Sequence, residues 1–179
     1  MHERQSYSAD DRFDAKVSRC PLLVLGVGNI LLRDEGIGVR VVEAMEEMEL
    51  PSGVELYDGA TAGFDLLDVI AERQKVIVID AVESTEEPGT IMRLTLDELD
   101  TQRPSELSMH DVAITETFAL AGQLGTAPRE VVVIGVVPRV VGYGLELSEE
   151  VGTAVPRVIE AVLAEIALPN ERRDDACMS

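Results

Sequence analysis

The chain has 179 residues and a hydrophobic content of 46%, which is enough for one domain that buries a core without disulfides or structural metals. Its formal net charge of −19, with Lys16 and Lys75 as its only lysines, argues against nucleic acid or an anionic membrane as a partner, because both require clustered basic side chains. We interpret Cys20 and Cys177 as ordinary reduced thiols.

The ends of the chain are polar and flank a single predicted domain at 21–167. Residues 1–20 lack the apolar segment of a secretory signal, so we interpret them as a mobile extension, and residues 168–179 as a mobile tail. The longest apolar runs, at 21–28 and 131–138, are too short to span a bilayer. We therefore expect a cytoplasmic protein, and we expect it to be a monomer.

Four apolar runs rich in Val, Ile and Leu have the composition of strands that are buried on both faces. They lie at 22–27, 54–58, 75–80 and 131–136. A helix after the first strand is predicted from an apolar stripe that comprises Ile37, Val41, Ala44, Met45 and Met48. A final helix, with Ser148 as its N-cap, is predicted from Val151, Val155, Val158, Ile159, Val162 and Ile166. Alternating strands and helices predict a mostly parallel sheet with helices on both faces.

The middle of the chain is less regular. Residues 90–95 alternate between apolar and polar side chains after Pro88-Gly89, which predicts an edge strand that runs antiparallel to the others. Residues 97–109 are predicted to form a short helical turn and then a loop.

Several carboxylates fall at the ends of predicted elements. In a parallel sheet the ligand site lies beyond the carboxyl ends of the strands, where the strand order reverses. If the order is 2-1-3, Glu35 at a helix start and Asp80 at the end of the third strand face one crevice. Asp34 and Asp58 also suit ordinary roles, at a helix start and in a turn. Asp80 closes an apolar run, where an acid is better explained by function than by packing.

His110 is the only histidine besides His2, so any imidazole chemistry in the folded domain depends on it. Ser108 and Asp111 fit a capping pattern that places His110 in the first turn of a helix, whose positive end favours a neutral ring that is free to bind a metal.

Common catalytic and nucleotide-binding motifs are missing from the sequence. It has no G-x-S-x-G, H-E-x-x-H or C-x-x-C, and Leu31 occupies the third glycine position of a dinucleotide fingerprint, so no nucleotide cofactor is expected. Glu35, Asp80 and His110 remain, and three such ligands leave positions open on a metal.

From Leu22 to Ile166 the chain resembles the hydrogenase maturation endopeptidases. The matching segments are GVGNILLRDEGIGVR (26–40), DGATAG (58–63), IDA (79–81), PGT (88–90) and SMHD (108–111). The resemblance implies a three-layer α/β/α sandwich with a five-stranded mixed sheet. It also implies that Glu35, Asp80 and His110 contact a metal, and it makes Asp58 a further functional candidate. Ala60 stands where a second glycine is usual, which costs little if its φ is negative.

The implied activity is cleavage of one peptide bond near the C-terminus of the large-subunit precursor of a nickel-containing hydrogenase, after nickel insertion. Nickel, supplied by the precursor and held there by cysteine thiolates, would bridge the two proteins and act as a checkpoint. Asp34, Glu35, Asp58 and Asp80 are the candidate catalytic carboxylates. Two alternatives stay open, a nickel-loading checkpoint without catalysis and an α/β hydrolase or phosphorylase that acts on a small molecule.

Overall fold

A computed structural model describes residues 20–60, 65–101 and 109–168, and for 99–101 and 109–113 it describes the backbone alone. The predicted mobile extension and tail lie almost wholly outside these ranges, as do Ser108 and residues 61–64 of the DGATAG segment.

The described residues form one five-stranded sheet. The strands are β1 (Leu22–Val27), β2 (Val54–Ala60), β3 (Lys75–Ala81), β4 (Ile91–Leu94) and β5 (Glu130–Val136). Their order is β2-β1-β3-β5-β4, with β4 antiparallel to β5 at one edge and all other neighbours parallel. The four predicted apolar strands, the 2-1-3 order and the antiparallel edge strand are therefore confirmed.

Helices cover both faces of this sheet. In the described part of the chain they are a short 3-10 helix (Asp34–Gly36), α1 (Ile37–Glu46), α2 (Leu66–Ile70), α3 (Leu96–Thr101), α4 (Met109–Leu124) and α5 (Glu149–Ala167). One apolar cluster joins α1 and α5 to one face of the sheet, and a second joins α2 and α4 to the other. The fold is the three-layer α/β/α sandwich that the resemblance implied. No helix among the described residues is long and apolar enough to cross a membrane.

The apolar stripe predicted for the first helix is only partly right. Ile37, Val41 and Met45 are fully buried, but Ala44 is exposed and Met48 is 40% exposed. Because α1 ends at Glu46, Met48 lies in the following turn and no longer faces the sheet.

The prediction for the last helix is confirmed. The Ser148 hydroxyl accepts a hydrogen bond from the Val151 N–H at 3.4 Å, which caps α5. Val151, Val158 and Val162 are fully buried against the sheet.

A buried ion cluster closes the amino edge of the sheet, which is the edge where the parallel strands begin. Lys75 and Glu165 are 3% and 4% exposed, and the Lys75 Nζ lies 2.6 Å from the Glu165 Oε1. The Arg93 Nε donates to the other Glu165 oxygen at 2.8 Å. This cluster was not predicted from the sequence, and it joins α5 to β3 and β4 at the edge opposite to the candidate site.

Candidate functional site

Glycines bring the 3-10 helix into close contact with the end of β1. Gly28 has a φ of 117°, and a Cβ atom there would overlap the Glu35 carbonyl oxygen. A Cβ on Gly38 would overlap the backbone of Val27 and the Ile79 carbonyl oxygen. The start of α1 therefore lies directly against the ends of β1 and β3, and this contact fixes the position of Glu35.

Glu35 and Asp80 both lie at the carboxyl edge of the sheet, which is the edge where the parallel strands end. Glu35 is 8% exposed in the 3-10 helix, and Asp80 is 4% exposed near the end of β3. The 3-10 helix contacts β3, and β1 and β3 are the neighbours between which the strand order reverses. Two acidic side chains with so little exposure at a switch point are typical of a functional site.

His110 lies in the first turn of α4, as the capping pattern predicted. The helix ends at Leu124, close to the amino edge of the sheet. The Thr126 carbonyl accepts a hydrogen bond there from the N–H of Glu72, which lies just before β3. A helix of 16 residues spans about 24 Å, so its first turn is directed toward the carboxyl edge. Among the residues whose side chains are described, no three His, Cys, Asp or Glu side chains cluster closely enough to hold a metal, and the His110 side chain lies outside that set.

Asp34 is fully buried, and its carboxylate accepts three backbone hydrogen bonds from the loop between β5 and α5, residues 137–148, which we call the β5–α5 loop. Ser148 N–H donates to Oδ1 at 2.6 Å, and the N–H groups of Arg139 and Val140 donate to Oδ2 at 2.9 and 2.8 Å. Burial raises the pKa of the Asp34 carboxyl, but these hydrogen bonds outweigh it and leave the pKa below its ordinary value. The sequence gives no signal for this contact.

Asp58 lies near the end of β2, exposed at the same carboxyl edge. Its Oδ1 accepts a hydrogen bond from the Ala60 N–H at 2.8 Å, the kind of contact expected of a turn residue. Ala60 has a φ of 41°, so the condition under which alanine costs little is not met. The pairing with β1 shifts register here, and the Ala60 carbonyl accepts from the Gly28 N–H at 2.9 Å, which holds the residue in this conformation.

A cleft of about 740 Å³ lies beyond the ends of β3 and β5. The cleft was not predicted from the sequence. Its lining comprises residues 83–86 after β3, together with Met92, Val137, Pro138, Arg139 and Val141.

Comparison with known proteins gives consistent results. The model of the hydrogenase maturation protease family matches residues 39–165. The hydrogenase 2 maturation protease of Escherichia coli K12 is 37% identical over 162 residues, which cover 86% of this chain and 99% of that protein. The hydrogenase expression/formation protein HupD of Thiocapsa roseopersicina is 35% identical over 161 residues, covering 87% of this chain and 73% of HupD.

Solved structures agree. The hydrogenase maturating endopeptidase HybD of E. coli superposes with a TM-score of 0.76 at 38% identity, covering 81% of this chain and 91% of HybD. The hydrogenase 2 maturation peptidase of a Thaumarchaeota archaeon superposes with a TM-score of 0.61 at 37% identity, covering 83% of this chain and 99% of the peptidase.

Proposed function

Because the chain belongs to the hydrogenase maturation protease family, whose members are peptide hydrolases, we propose that it cuts a large-subunit precursor of a nickel-containing hydrogenase. The cut removes the C-terminal extension after nickel has been inserted. The observation that carries this proposal is the pair of buried carboxylates, Glu35 and Asp80, at the carboxyl edge of the sheet, with the first turn of α4 directed toward the same edge.

Glu35, Asp80 and His110 are the residues that we propose to contact the nickel ion of the precursor. Two carboxylates and one imidazole supply oxygen and nitrogen donors, and the thiolates of the precursor supply the soft donors that nickel also accepts. In this arrangement the metal belongs to the substrate. A precursor without nickel offers nothing for the three side chains to bind, and the protein leaves it uncut.

Hydrolysis requires a base that takes a proton from water while the water oxygen attacks the scissile carbonyl carbon. The C–N bond then breaks, and the leaving amine receives a proton. Glu35, Asp58 and Asp80 are the candidates for this base, since all three lie at the carboxyl edge. For Asp34 we propose a positioning role, because its carboxylate is fully buried and accepts three backbone hydrogen bonds.

The test is to mix the full chain with precursor that contains nickel and, separately, with precursor that lacks it, and to weigh the large subunit by mass spectrometry. We expect the nickel-containing precursor to lose the mass of a C-terminal peptide and the nickel-free precursor to keep its mass. Nickel-dependent binding without loss of mass would replace the peptidase with a checkpoint protein. If the nickel-containing precursor neither binds nor loses mass, the small-molecule hydrolase is the remaining alternative.

Asp58→Asn separates the candidate bases, because the amide oxygen can still accept the hydrogen bond from the Ala60 N–H and keep the turn. Loss of cleavage with retained binding would assign the base to Asp58. Unchanged cleavage would leave the role to Glu35 or Asp80.

A further inference from the structure

An exposed apolar patch lies beside the candidate site. Eight large hydrophobic side chains are exposed in the described part of the chain, and five of them come from two short segments that touch each other. Tyr143 is 95% exposed. Apolar side chains that gather on one surface of a soluble protein mark an interaction site more often than isolated ones do. We call these five residues the apolar patch: Leu31, Val140, Val141, Tyr143 and Leu145.

The backbone beneath the apolar patch is held in place by hydrogen bonds. Gly144 pairs with the segment before the 3-10 helix, because its N–H donates to the Leu31 carbonyl at 2.9 Å and its carbonyl accepts from the Arg33 N–H at 3.1 Å. Arg40 of α1 donates to the Leu145 carbonyl at 3.2 Å. The three hydrogen bonds to the Asp34 carboxylate secure both ends of the loop. A surface that is ordered before binding loses less conformational entropy when a partner docks.

Arg33 adds an independent sign of function at the same surface. Its backbone has φ 58° and ψ −114°, a strained conformation for a residue with a side chain. The aliphatic part of the Arg33 side chain packs against Gly144, since a Cβ atom added to Gly144 would lie 2.9 Å from the Arg33 Cγ. The Arg33 Nε is buried and has no hydrogen-bond partner in the described structure. Strained backbone is concentrated at active sites and ligand-binding segments, and a buried donor without an acceptor calls for a partner.

The wall of the cleft that adjoins the apolar patch is acidic. Val141 also lines the cleft, whose wall carries the exposed Glu83 and Glu86. The one basic residue of the lining, Arg139, lies 3.7 Å from Glu150, which offsets its charge. A second copy of this chain, with its net charge of −19, would be repelled here, whereas a partner that carries Lys or Arg would be attracted.

We propose that the apolar patch and the adjoining cleft dock a segment of the precursor that carries both apolar and basic side chains. The apolar side chains contact Val141 and Tyr143, and the basic ones face Glu83 and Glu86. Because the β5–α5 loop and the 3-10 helix are joined through Asp34, docking on the loop presents the scissile bond to the edge that carries Glu35. This inference rests on the proposed peptidase function and names the surface that selects its substrate.

The test is the steady-state kinetics of nickel-containing precursor with the double variant Val141→Ser/Tyr143→Ser. We expect KM to rise about tenfold or more while kcat at saturation changes less than about twofold, since Val141 and Tyr143 contact the precursor but take no part in cleaving the peptide bond. The matched control is Leu124→Ser, which removes a side chain that is 62% exposed at the far end of α4. Its KM is expected to equal that of the wild type.

A second variant, Glu83→Lys/Glu86→Lys, tests the charge. We expect its KM to rise at low salt and the difference from wild type to shrink at high salt. Wild type that leaves the precursor whole would remove the peptidase proposal itself. If the wild type cuts the precursor but the KM of Val141→Ser/Tyr143→Ser equals that of Leu124→Ser, the docking proposal is refuted and the peptidase proposal stands. If the wild type is a dimer, and Val141→Ser/Tyr143→Ser is a monomer with an unchanged KM, a second copy of the chain occupies the apolar patch and the docking proposal is refuted.

Discussion

The carboxylate of Asp34 accepts a 2.6 Å hydrogen bond from the backbone N–H of Ser148, which lies 114 residues later in the chain. Asp34 directly precedes the proposed nickel-contacting residue Glu35, and Ser148 caps the last helix. One buried carboxylate therefore joins the candidate site to the β5–α5 loop, and a change in either segment is expected to affect the other.

We expect Asp34→Asn to destabilise the fold by about 2–4 kcal/mol, because the amide removes the charge that three backbone N–H groups share and places its own N–H₂ among donors. Urea unfolding at pH 7 measures this. The control is Asp65→Asn, which changes an exposed carboxylate that makes no capping hydrogen bond. If the two variants unfolded at the same urea concentration, Asp34 would not be the residue that holds the loop.

The Lys75–Glu165 pair predicts how stability depends on pH. The hydrogen bond from Arg93 lowers the pKa of the Glu165 carboxyl, and the hydrogen bond from Lys75 adds to this against the opposite effect of burial. A carboxyl whose folded pKa lies below its ordinary value of 4.5 contributes its full stabilisation above that value and loses it as the pH falls through the folded pKa.

Glu165→Gln is therefore expected to cost about 2–4 kcal/mol at pH 7, since it removes the carboxylate 2.6 Å from the buried Lys75 Nζ and leaves Glu130, 3.5 Å away, as the counter-charge. The difference from wild type should narrow below about pH 4. Urea unfolding at several pH values measures both effects, with the exposed Glu46→Gln as control. A difference that stayed constant down to pH 3 would contradict the assigned pKa direction.

Ala60→Gly tests the backbone conformation at the end of β2. Glycine relieves the positive φ of 41° but adds freedom to the unfolded chain, so we expect stability to change by between about 0 and +1 kcal/mol. At the exposed Ala127, which is not among the residues with positive φ, the same change should lower stability by about 0.4–1 kcal/mol. Equal losses in the two variants would mean that Ala60 is not strained.

Gly38→Ala tests the close packing that positions Glu35. Its Cβ would overlap backbone atoms of β1 and β3, which cannot move aside as a flexible side chain can, so we expect a loss of about 3 kcal/mol or more and little precursor cleavage. Gly122→Ala is the matched control. Gly122 lies in α4 with nothing within 4 Å of the new Cβ, and alanine there should raise stability by about 0.5–1 kcal/mol. A Gly38→Ala variant as stable as wild type would refute the packing argument.

The features that were predictable from the sequence are those with a local signal. Apolar runs predicted the strands, the serine before an acidic pair predicted the α5 cap, and the positions of Glu35 and Asp80 at the ends of elements placed them at one edge. Contacts between residues that are far apart in the sequence leave no local signal. The partners of Asp34 are backbone groups more than 100 residues away. The positive φ of Ala60 coincides with a register shift against β1, and the buried Lys75 pairs with Glu165 of α5, which lies 90 residues later in the chain.

Glu35→Gln, Asp80→Asn and His110→Ala are each expected to abolish cleavage of nickel-containing precursor, to below about 1% of wild type, while the melting temperature changes by only a few degrees. Glu35 and Asp80 lie at the ends of elements and outside the apolar clusters, and His110 lies in the first turn of α4, so we expect their loss to remove chemistry more than packing. If the three side chains contact the nickel of the precursor, each variant should also lose nickel-dependent binding, measured by capture of tagged precursor with and without nickel. The exposed Asp97→Asn serves as control for both measurements. A variant that still bound nickel-containing precursor but did not cut it would be reassigned from metal contact to general base, and normal cleavage by all three would refute the metal site.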